Sequence, residues 1–588
     1  MKLNLKGEMK KHLIVIFILF LFAFLGLIIR VTYINIQEKQ SYQTSVLSQH
    51  VNNLTISSTI PAKRGAILDR NGTIMAESIK VYNVIYDPVV INQAKEEIIQ
   101  KTNQLLSQTI SGVTIAELEK LLKERPNSSY QIIAKALEYE QVKALDQAIK
   151  DQTIKGVFLE GYYKRIYPYQ TMASDIIGFY NVNTGGNYGV EGFYDTALSG
   201  KDGRLFGAID KSYVNQEEVP AEDGKNILTT IDFGIQKYVE QAIANYYKEH
   251  DAKSVNVIVL NPKNGEILAM ASSPAFNSNM PFELKGIIEE KDLALLNDEE
   301  KNNIRFGLWK SYLISDSYEP GSTFKPFVLA AGIEEGKINL NSSYNCDGGK
   351  EIHGHYIRCW KAGGHGLQTA SEALANSCNV AFMEIGEKIG KSIFYDYEMK
   401  FGFGTKTNVD MLGEGKGVLN TYEQIGPVEL ATGSFGQGFN VTPIQLISAF
   451  SSLINGGKLY EPYIVKEVQD NNKKTVESNE SRLIRQTISD ETSMQMLKAL
   501  EMVVQDGTGN KASVEGYRIG GKTGTAEKGN RDDDLYIVSF IGFVPAENPQ
   551  LIALVIVDEP NIENPDSGLA SNIFKDFMGK VLPYRTIF

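Results

Sequence analysis

Glu319-Pro-Gly-Ser-Thr-Phe-Lys325-Pro326, continued by the apolar run Phe327-Val-Leu-Ala-Ala-Gly-Ile333, is the stretch from which the rest of the chain can be read. Pro326 has no N–H and its ring clashes with the carbonyl four residues back, so a helix holds it only within the first turn. The helix therefore starts at about Ser322. Ser322 and Lys325 then form an i,i+3 pair on one face, close enough for an amine to take a proton from a hydroxyl. Such a pair is a nucleophile with its base. By chance alone Ser-x-x-Lys is expected roughly two or three times in a chain of this length, so its surroundings must decide.

On either side of this helix lie strands. Ser254 to Ser272 contains two apolar runs across Asn264-Gly265, a dipeptide that favours a tight hairpin turn. Near the C-terminus, Tyr517 to Lys522, Tyr536 to Val544 and Gln550 to Val557 read as three more strands, the last two apolar enough to be covered on both faces. Some 240 mainly helical residues separate the hairpin from these strands. The expected architecture is one sheet assembled from both ends of a domain, with a helical region inserted.

Upstream, Leu13 to Ile29 is a run of 17 residues without charge, preceded by Lys2, Lys6, Lys10 and Lys11. This length suits a spanning helix, extended to Ile34 if Arg30 snorkels, and the lysines predict a cytoplasmic N-terminus. The alternative is a cleaved secretory signal, but no small-x-small site follows the run. Either reading exports the remainder. From Gln37 to Thr230 the sequence mixes short strands and helices: Ile67 to Gly72 suggests a hairpin turn at Asn71-Gly72, Val81 to Asp87 a strand, and residues 94–152 a solvent-facing helical insert. The expected domains are a cytoplasmic tail (1–12), an anchor (13–34), a spacing or docking pedestal (35–230) and a catalytic domain (231–588). With 588 residues, 43% apolar and 22% charged, the chain has ample material for such cores. A net charge of -12 without dense basic clusters argues against nucleic acid as a partner.

Two further segments carry chemistry. Thr369-Ala-Ser-Glu372 has capping-box spacing and opens a short helix leading to Ser377-Cys378-Asn379, which presents a hydroxyl and an amide on one side of a turn. Gly520-Gly521-Lys522-Thr523-Gly524-Thr525 sets glycines beside and within a strand, where a peptide backbone can approach and add as a further strand. Taken singly, each has a bland counterpart, a surface tripeptide or a weakened edge strand.

Together, and in this order, the three segments resemble the set described for penicillin-binding proteins and serine β-lactamases. The whole chain resembles a class B penicillin-binding protein, closest to the sporulation and division-type members of Gram-positive bacteria. Arg64-Gly65 with Asp69-Arg70-Asn71-Gly72, Arg165-Ile-Tyr-Pro168 with Ile177-Gly178, and Gly189-Val-Glu191-Gly192 are similar to that family's pedestal motifs. Phe401-Gly-Phe-Gly404, Gly433 to Gly438 and Thr442-Pro443-Ile-Gln445 are also family-like. Asp175 stands where members often carry a histidine, a departure in the pedestal.

The resemblance implies an α+β penicillin-binding transpeptidase domain, an antiparallel five-stranded sheet with helices on both faces and a helical subdomain, behind a transmembrane helix and an elongated α+β pedestal. It implies a peptidoglycan D,D-transpeptidase that releases D-alanine from stem peptides and is acylated by β-lactams. Ser322 would be the nucleophile, Lys325 its base, Ser377 the proton relay, Asn379 a holder of Lys325 and substrate, and Lys522 a positive charge. Thr523 and Thr525, with Gly524 between them, would bind the terminal carboxylate. No cofactor is implied for this chemistry. The implied partner is a membrane glycosyltransferase of the shape, elongation, division and sporulation family. The alternatives are a serine β-lactamase, against which no Glu-x-x-Leu-Asn lies between the last two motifs, and a β-lactam-binding sensor or scaffold.

One region fits none of these roles. Between Ser322 and Ser377, Cys346, Cys359, His353, His355 and His365 crowd a glycine-rich loop. Two thiolates with imidazoles suit tetrahedral Zn2+. The expected ligands are Cys346, Cys359 and His365, with His353, His355 or Asp316 as the fourth. A Cys346–Cys359 disulfide, favoured by export, and free thiols are the alternatives.

Overall fold

The computed structural model describes residues 55–210, 213–529, 535–562, 566 and 568–586, with helical residues 12, 15, 17–28 and 30. The expected anchor, 13–34, falls partly outside them. Among the described residues no helix is long and apolar enough to cross a membrane.

By internal packing the chain forms two compact units whose segments alternate in sequence. The first takes 80–163, 199–224 and the described residues before 65. Its helices Glu96–Thr109, Ile115–Glu124 and Tyr139–Lys150 pack around Val84, Tyr86, Leu106, Leu118, Val142 and Leu145. The segment expected to be a helical insert also holds a strand, Gln131–Leu137, whose β-branched Ile132 and Ile133 favour extension. Thr55–Ile60, Gly203–Asp210 and Tyr213–Val219 form a separate antiparallel sheet.

The second unit takes 65–79, 164–198 and everything from 225 onward. It holds helix α1 (Phe233–His250), strands β1 (Ser254–Leu260) and β2 (Ile267–Ser273), helix α2 (Lys325–Glu334), strands β3 (Ser343–Cys346), β4 (Gly349–Ile352), β5 (His355–Arg358) and β6 (Gly366–Thr369), helices α3 (Ala370–Ala375), α4 (Asn379–Lys400), α5 (Pro443–Ile454) and α6 (Asp490–Gln505), strands β7 (Gly520–Lys528), β8 (Leu535–Val544) and β9 (Leu551–Asp558), and helix α7 (Gly568–Tyr584). The main sheet is antiparallel in the order β2-β1-β9-β8-β7, so the two ends of the domain meet where β1 pairs β9.

Strand alternation builds two cores from that sheet. Val255, Val257 and Val259 of β1 join Val555 and Val557 of β9 against α1 and α7. Ile258 and Leu260, with Leu554 and Ile556, face the opposite core, which includes α2 and α5. Helices thus cover both faces, and this explains why β8 and β9 are apolar throughout. The β1–β2 turn uses Gly265 at φ +82° after Asn264. Strand β7 begins at Gly520 rather than Tyr517, because Tyr517 N–H closes a turn onto the Val514 carbonyl and pairing starts at Gly520 with Phe543.

Candidate active site

Ser322 sits in a 3-10 turn, Gly321–Phe324, that runs directly into α2, with Pro326 in the first turn of that helix. Three residues per turn place Ser322 and Lys325 one above the other, a tighter stacking than the α-helical pair the sequence suggests. Thr323 Oγ1 donates to the Pro320 carbonyl at 2.6 Å, and Gly321 N–H donates to the Gly436 carbonyl at 2.9 Å. Gly321 is at φ +53°, and a Cβ there would lie 2.6 Å from the Thr525 carbonyl oxygen. The turn is thus clamped between the 433–438 loop and β7, and only glycine fits. Ser322 lines a cleft of about 1070 Å³ that it shares with Ser377, Asn379, Thr523, Gly524 and Thr525.

Lys325 is fully buried at the floor of this arrangement. Its Nζ donates to the Ser377 carbonyl at 2.6 Å, to Asn379 Oδ1 at 2.8 Å and to Ser377 Oγ at 3.2 Å. Burial holds the ammonium down at about 7, outweighing the opposite pull of the Cys378 and Cys359 sulfurs. A neutral amine keeps two N–H groups for the two shorter contacts and frees a lone pair for a hydroxyl proton. Lys522 is also fully buried, and burial together with the Lys325 charge holds its ammonium well below the ordinary lysine range. It donates to Ser377 Oγ at 3.1 Å, the Thr523 carbonyl at 3.0 Å and Thr523 Oγ1 at 3.1 Å. Ser377 Oγ thus lies within hydrogen-bond reach of both lysines, 3.2 Å from Lys325 Nζ and 3.1 Å from Lys522 Nζ, and accepts from Lys522.

The Ser377 turn is held in a costly conformation. Ser377 is at φ +54°, where a non-glycine residue is strained by about 1 to 3 kcal/mol. Ser377 N–H to the Leu374 carbonyl (3.1 Å) and Cys378 N–H to the Ala373 carbonyl (2.9 Å) tie it to the end of α3, and Cys378 caps α4. Helix α3 begins with the expected Thr369–Glu372 capping box. Strand β7 is the edge of the sheet and walls the cleft, with Gly524 pressed so closely that a Cβ would meet Ser539 Oγ at 2.6 Å and Thr323 Cγ2 at 2.9 Å.

The eight residues expected from the sequence to serve acylation meet in this unit: Ser322, Lys325, Ser377, Asn379 and Lys522 around the cleft floor, Thr523, Gly524 and Thr525 along its wall. Others join them unannounced. Thr508 Oγ1 lies 2.8 Å from Thr523 Oγ1, extending the Lys522 network, and Tyr356, Arg358 and Trp360 also line the cleft. Trp360 Nε1–H donates to the Asn376 and Ser377 carbonyls at 3.2 and 3.1 Å. No sequence pattern marks these residues, since their partners lie 15 or more positions away.

The cysteine-histidine loop folds differently from the expectation in one respect. Cys346, Cys359 and His365 do converge, but the fourth member is Cys378. His353 occupies the β4–β5 turn at φ +47°, His355 is exposed at the cleft rim, and Asp316 engages Lys310 at 3.1 Å. The hairpin carries both histidines outward, so the cluster closes on the cysteine of Ser-Cys-Asn instead. All three cysteines are free thiols, and no Cys346–Cys359 disulfide forms.

The chain that carries this arrangement is similar to known proteins. The family described as the penicillin binding protein transpeptidase domain matches residues 255–579, and the penicillin-binding protein dimerisation domain matches residues 59–229. This chain belongs to the penicillin-binding protein transpeptidase family. Stage V sporulation protein D of Bacillus subtilis is 39% identical over 512 residues, covering 85% of this chain and 74% of that protein. A probable peptidoglycan D,D-transpeptidase PenA of Neisseria meningitidis is 28% identical over 575 residues, covering 95% and 90%. The crystal structure of penicillin-binding protein 2X from Streptococcus thermophilus superposes with a TM-score of 0.76 at 26% identity, covering 90% of this chain and 80% of that one.

Packing gives the remaining motifs a physical role. Phe401 and Phe403 of the Phe-Gly-Phe-Gly stretch bed Phe327 of α2 at ring distances of 4.9 and 5.1 Å, and Phe439 packs on Phe324 at 4.8 Å. Arg165 and Glu191, from two pedestal-type motifs, form a buried ion pair at 2.6 Å. Asp175 is buried and its carboxyl is pushed up to about 6 by that burial.

Proposed function

We propose that the chain is a monofunctional class B penicillin-binding protein, a serine-type peptidoglycan D,D-transpeptidase that joins stem peptides through an acyl-enzyme and is acylated at the same residue by β-lactams. The observation that carries this reading is the buried Lys325–Ser377–Lys522 network beside the half-buried Ser322. In the first step Ser322 Oγ attacks the carbonyl of the penultimate D-alanine and its proton passes to neutral Lys325 Nζ. The backbone N–H groups of Ser322 and Thr525 stabilise the oxyanion, a term worth about 3 to 4 kcal/mol per donor. The peptide C–N bond breaks as Ser377 passes its proton to the departing D-alanine amine and takes the one held by Lys325, 3.2 Å away, so that Lys325 is neutral again and an ester is left on Ser322. An amine of a neighbouring stem then attacks that ester, Lys325 takes its proton, and Ser322 regains a hydrogen as the cross-link forms. Asn379 orients Lys325 and the substrate amide. Lys522, Thr523 and Thr525 receive the terminal carboxylate, and the free edge of β7 pairs with the stem peptide.

The acylation chemistry draws only on these side chains. We read Cys346, Cys359 and His365 as ligands of a structural Zn2+ outside it. Residues 1–12 are read as a cytoplasmic tail, 13–34 as a single anchor, 35–230 as the pedestal and 231–588 as the extracytoplasmic catalytic domain; the apolar run after four lysines and the two family matches support this division. A class B enzyme lacks a polymerising domain, so a membrane glycosyltransferase of the shape, elongation, division and sporulation family is the proposed partner, met through anchor and pedestal.

Labelling with a fluorescent penicillin tests the nucleophile. Wild type should label stably and Ser322→Ala not at all, and a synthetic stem peptide should release D-alanine only with wild type. Labelling that survives Ser322→Ala removes the assignment. Rapid loss of label by hydrolysis would point to a β-lactamase, and stable labelling without D-alanine release to a sensor.

A further inference from the structure

We propose that Cys378 completes a Cys3His site for Zn2+ with Cys346, Cys359 and His365, and that the metal fixes the Ser377-Cys378-Asn379 turn on which acylation depends. This deepens the zinc reading above, and its second half rests on the transpeptidase reading.

Four elements deliver the four groups. Cys346 ends β3, Cys359 follows β5, His365 precedes β6, and Cys378 caps α4. Their ligand atoms all lie within 4.8 Å of one another. Cys359 Sγ to His365 Nδ1 is 3.7 Å, against about 3.6 Å between sulfur and nitrogen on a tetrahedral ion with the usual Zn–S and Zn–N distances. All three cysteines are buried, and the donor set is nitrogen and sulfur without a carboxylate, which selects Zn2+ over hard cations. His365 Nε2 is buried without a partner among the described residues, so the ring's polar engagement runs through Nδ1 to the sulfur cluster.

The framework is braced before any metal arrives. Cys346 pairs with Gly366 across β3 and β6, and Cys359 N–H donates to the Gly348 carbonyl at 2.9 Å. Gly348 and Gly364 both take positive φ where their backbones cross, and a Cβ on Gly364 would stand 2.7 Å from Gly348 N. Thiolate sulfurs need donors. Cys378 Sγ accepts from Ala381 N–H at 3.5 Å, at the positive end of α4. A single disulfide would consume two of these sulfurs and leave the third beside an imidazole.

Coupling to the cleft is covalent and short. Cys378 lies between Ser377, at its strained φ, and Asn379, and both neighbours bond Lys325. Trp360 packs edge-on against His365 at a ring distance of 5.3 Å and donates to the Ser377 carbonyl, a second link from cluster to turn. Releasing the ion frees the sulfur that anchors the turn from behind.

Full-length protein, reduced and handled without oxygen, should bind one Co2+ per chain with the ligand-field bands of a tetrahedral site and strong thiolate charge transfer, displaced by Zn2+. Cys346→Ser and Cys378→Ser should each lower affinity by more than about 100-fold, beyond the 10–100-fold typical of losing an outer-shell partner. His353→Ala and Asp316→Asn should leave it unchanged. Chelation of wild type, or Cys346→Ser, which leaves the Ser-Cys-Asn turn intact, should slow penicillin acylation about tenfold or more at unchanged circular dichroism, with recovery on adding Zn2+ to the chelated wild type. Failure of the reduced protein to bind stoichiometric metal, a six-coordinate spectrum, or an unchanged spectrum in Cys378→Ser overturns the site. Metal binding with acylation indifferent to chelation overturns the coupling. If metal-loaded wild type takes no penicillin at all, the transpeptidase reading falls while the metal titration still stands.

Discussion

Lys325 shows how a single residue changes meaning between sequence and fold. Its spacing from Ser322 marks a base, but an ordinary lysine is an ammonium at neutral pH and cannot act as one. Complete burial supplies what spacing cannot, bringing the group to about 7. The sign follows directly: protonation below that value removes the base. Acylation by a penicillin should rise about tenfold per pH unit below 7 and level off above it. Stopped-flow measurement of the acylation rate across this range checks the profile. Lys325→Gln should lose about 10² to 10⁴-fold in rate together with the pH dependence. Ser377 is the complementary case, since its hydroxyl is visible in Ser-Cys-Asn while its left-handed backbone and its place between two lysines are not.

At the scale of elements, the site depends on how closely β7 approaches the turn that starts α2. Gly524 is the contact point, and its steric limit yields a sharp expectation. Gly524→Ala must displace either Thr323 or Ser539, shifting the nucleophile turn by a fraction of an ångström or more. Acylation should fall by about a hundredfold with little change in thermal stability, as misplacement of reacting groups costs rate before it costs folding. Beneath the same turn, Phe327 is 2% exposed among Phe401, Phe403 and Phe450. Phe327→Ala should lower unfolding free energy by about 3 to 5 kcal/mol in a denaturant titration. The hairpin at Asn264-Gly265 and the capping box at Thr369 were legible because their signals are local. The 3-10 character of Gly321–Phe324 was not, since it answers to clamping by Gly436 and Thr525 from distant parts of the chain.

For the whole molecule, the sequence suggests a linear order of anchor, pedestal and catalytic domain, whereas packing distributes 65–79 and 164–198 into the unit that carries the cleft. The parallel pairing of Ile67–Leu68 with Ile227–Leu228 shows why: strands more than 150 positions apart share one ladder. A chain begun at residue 55 keeps every element of both units from Thr55 onward. It should leave the membrane fraction for the soluble one and label with penicillin at the wild-type rate, as fractionation with gel fluorescence would show. A chain begun at residue 231 lacks 65–79 and 164–198 and should express as aggregated material.

The sequence by itself determined the sheet's five strands, the covered faces of β8 and β9, the three segments that meet at the cleft and two of the three cysteines that converge behind it. Each of these rests on short-range rules: alternation, turn dipeptides, proline at a helix start and fixed motif spacing. Tertiary structure alone decided that Cys378 joins the cysteine-histidine loop, that Thr508 extends the Lys522 network, and that Trp360 braces the Ser377 turn. These are meetings of groups 13 to 32 residues apart whose direction depends on which face each element buries. The same long-range packing strips water from Lys325 and Lys522, and that desolvation, invisible in residue order, is what holds both ammonium groups below the ordinary lysine range.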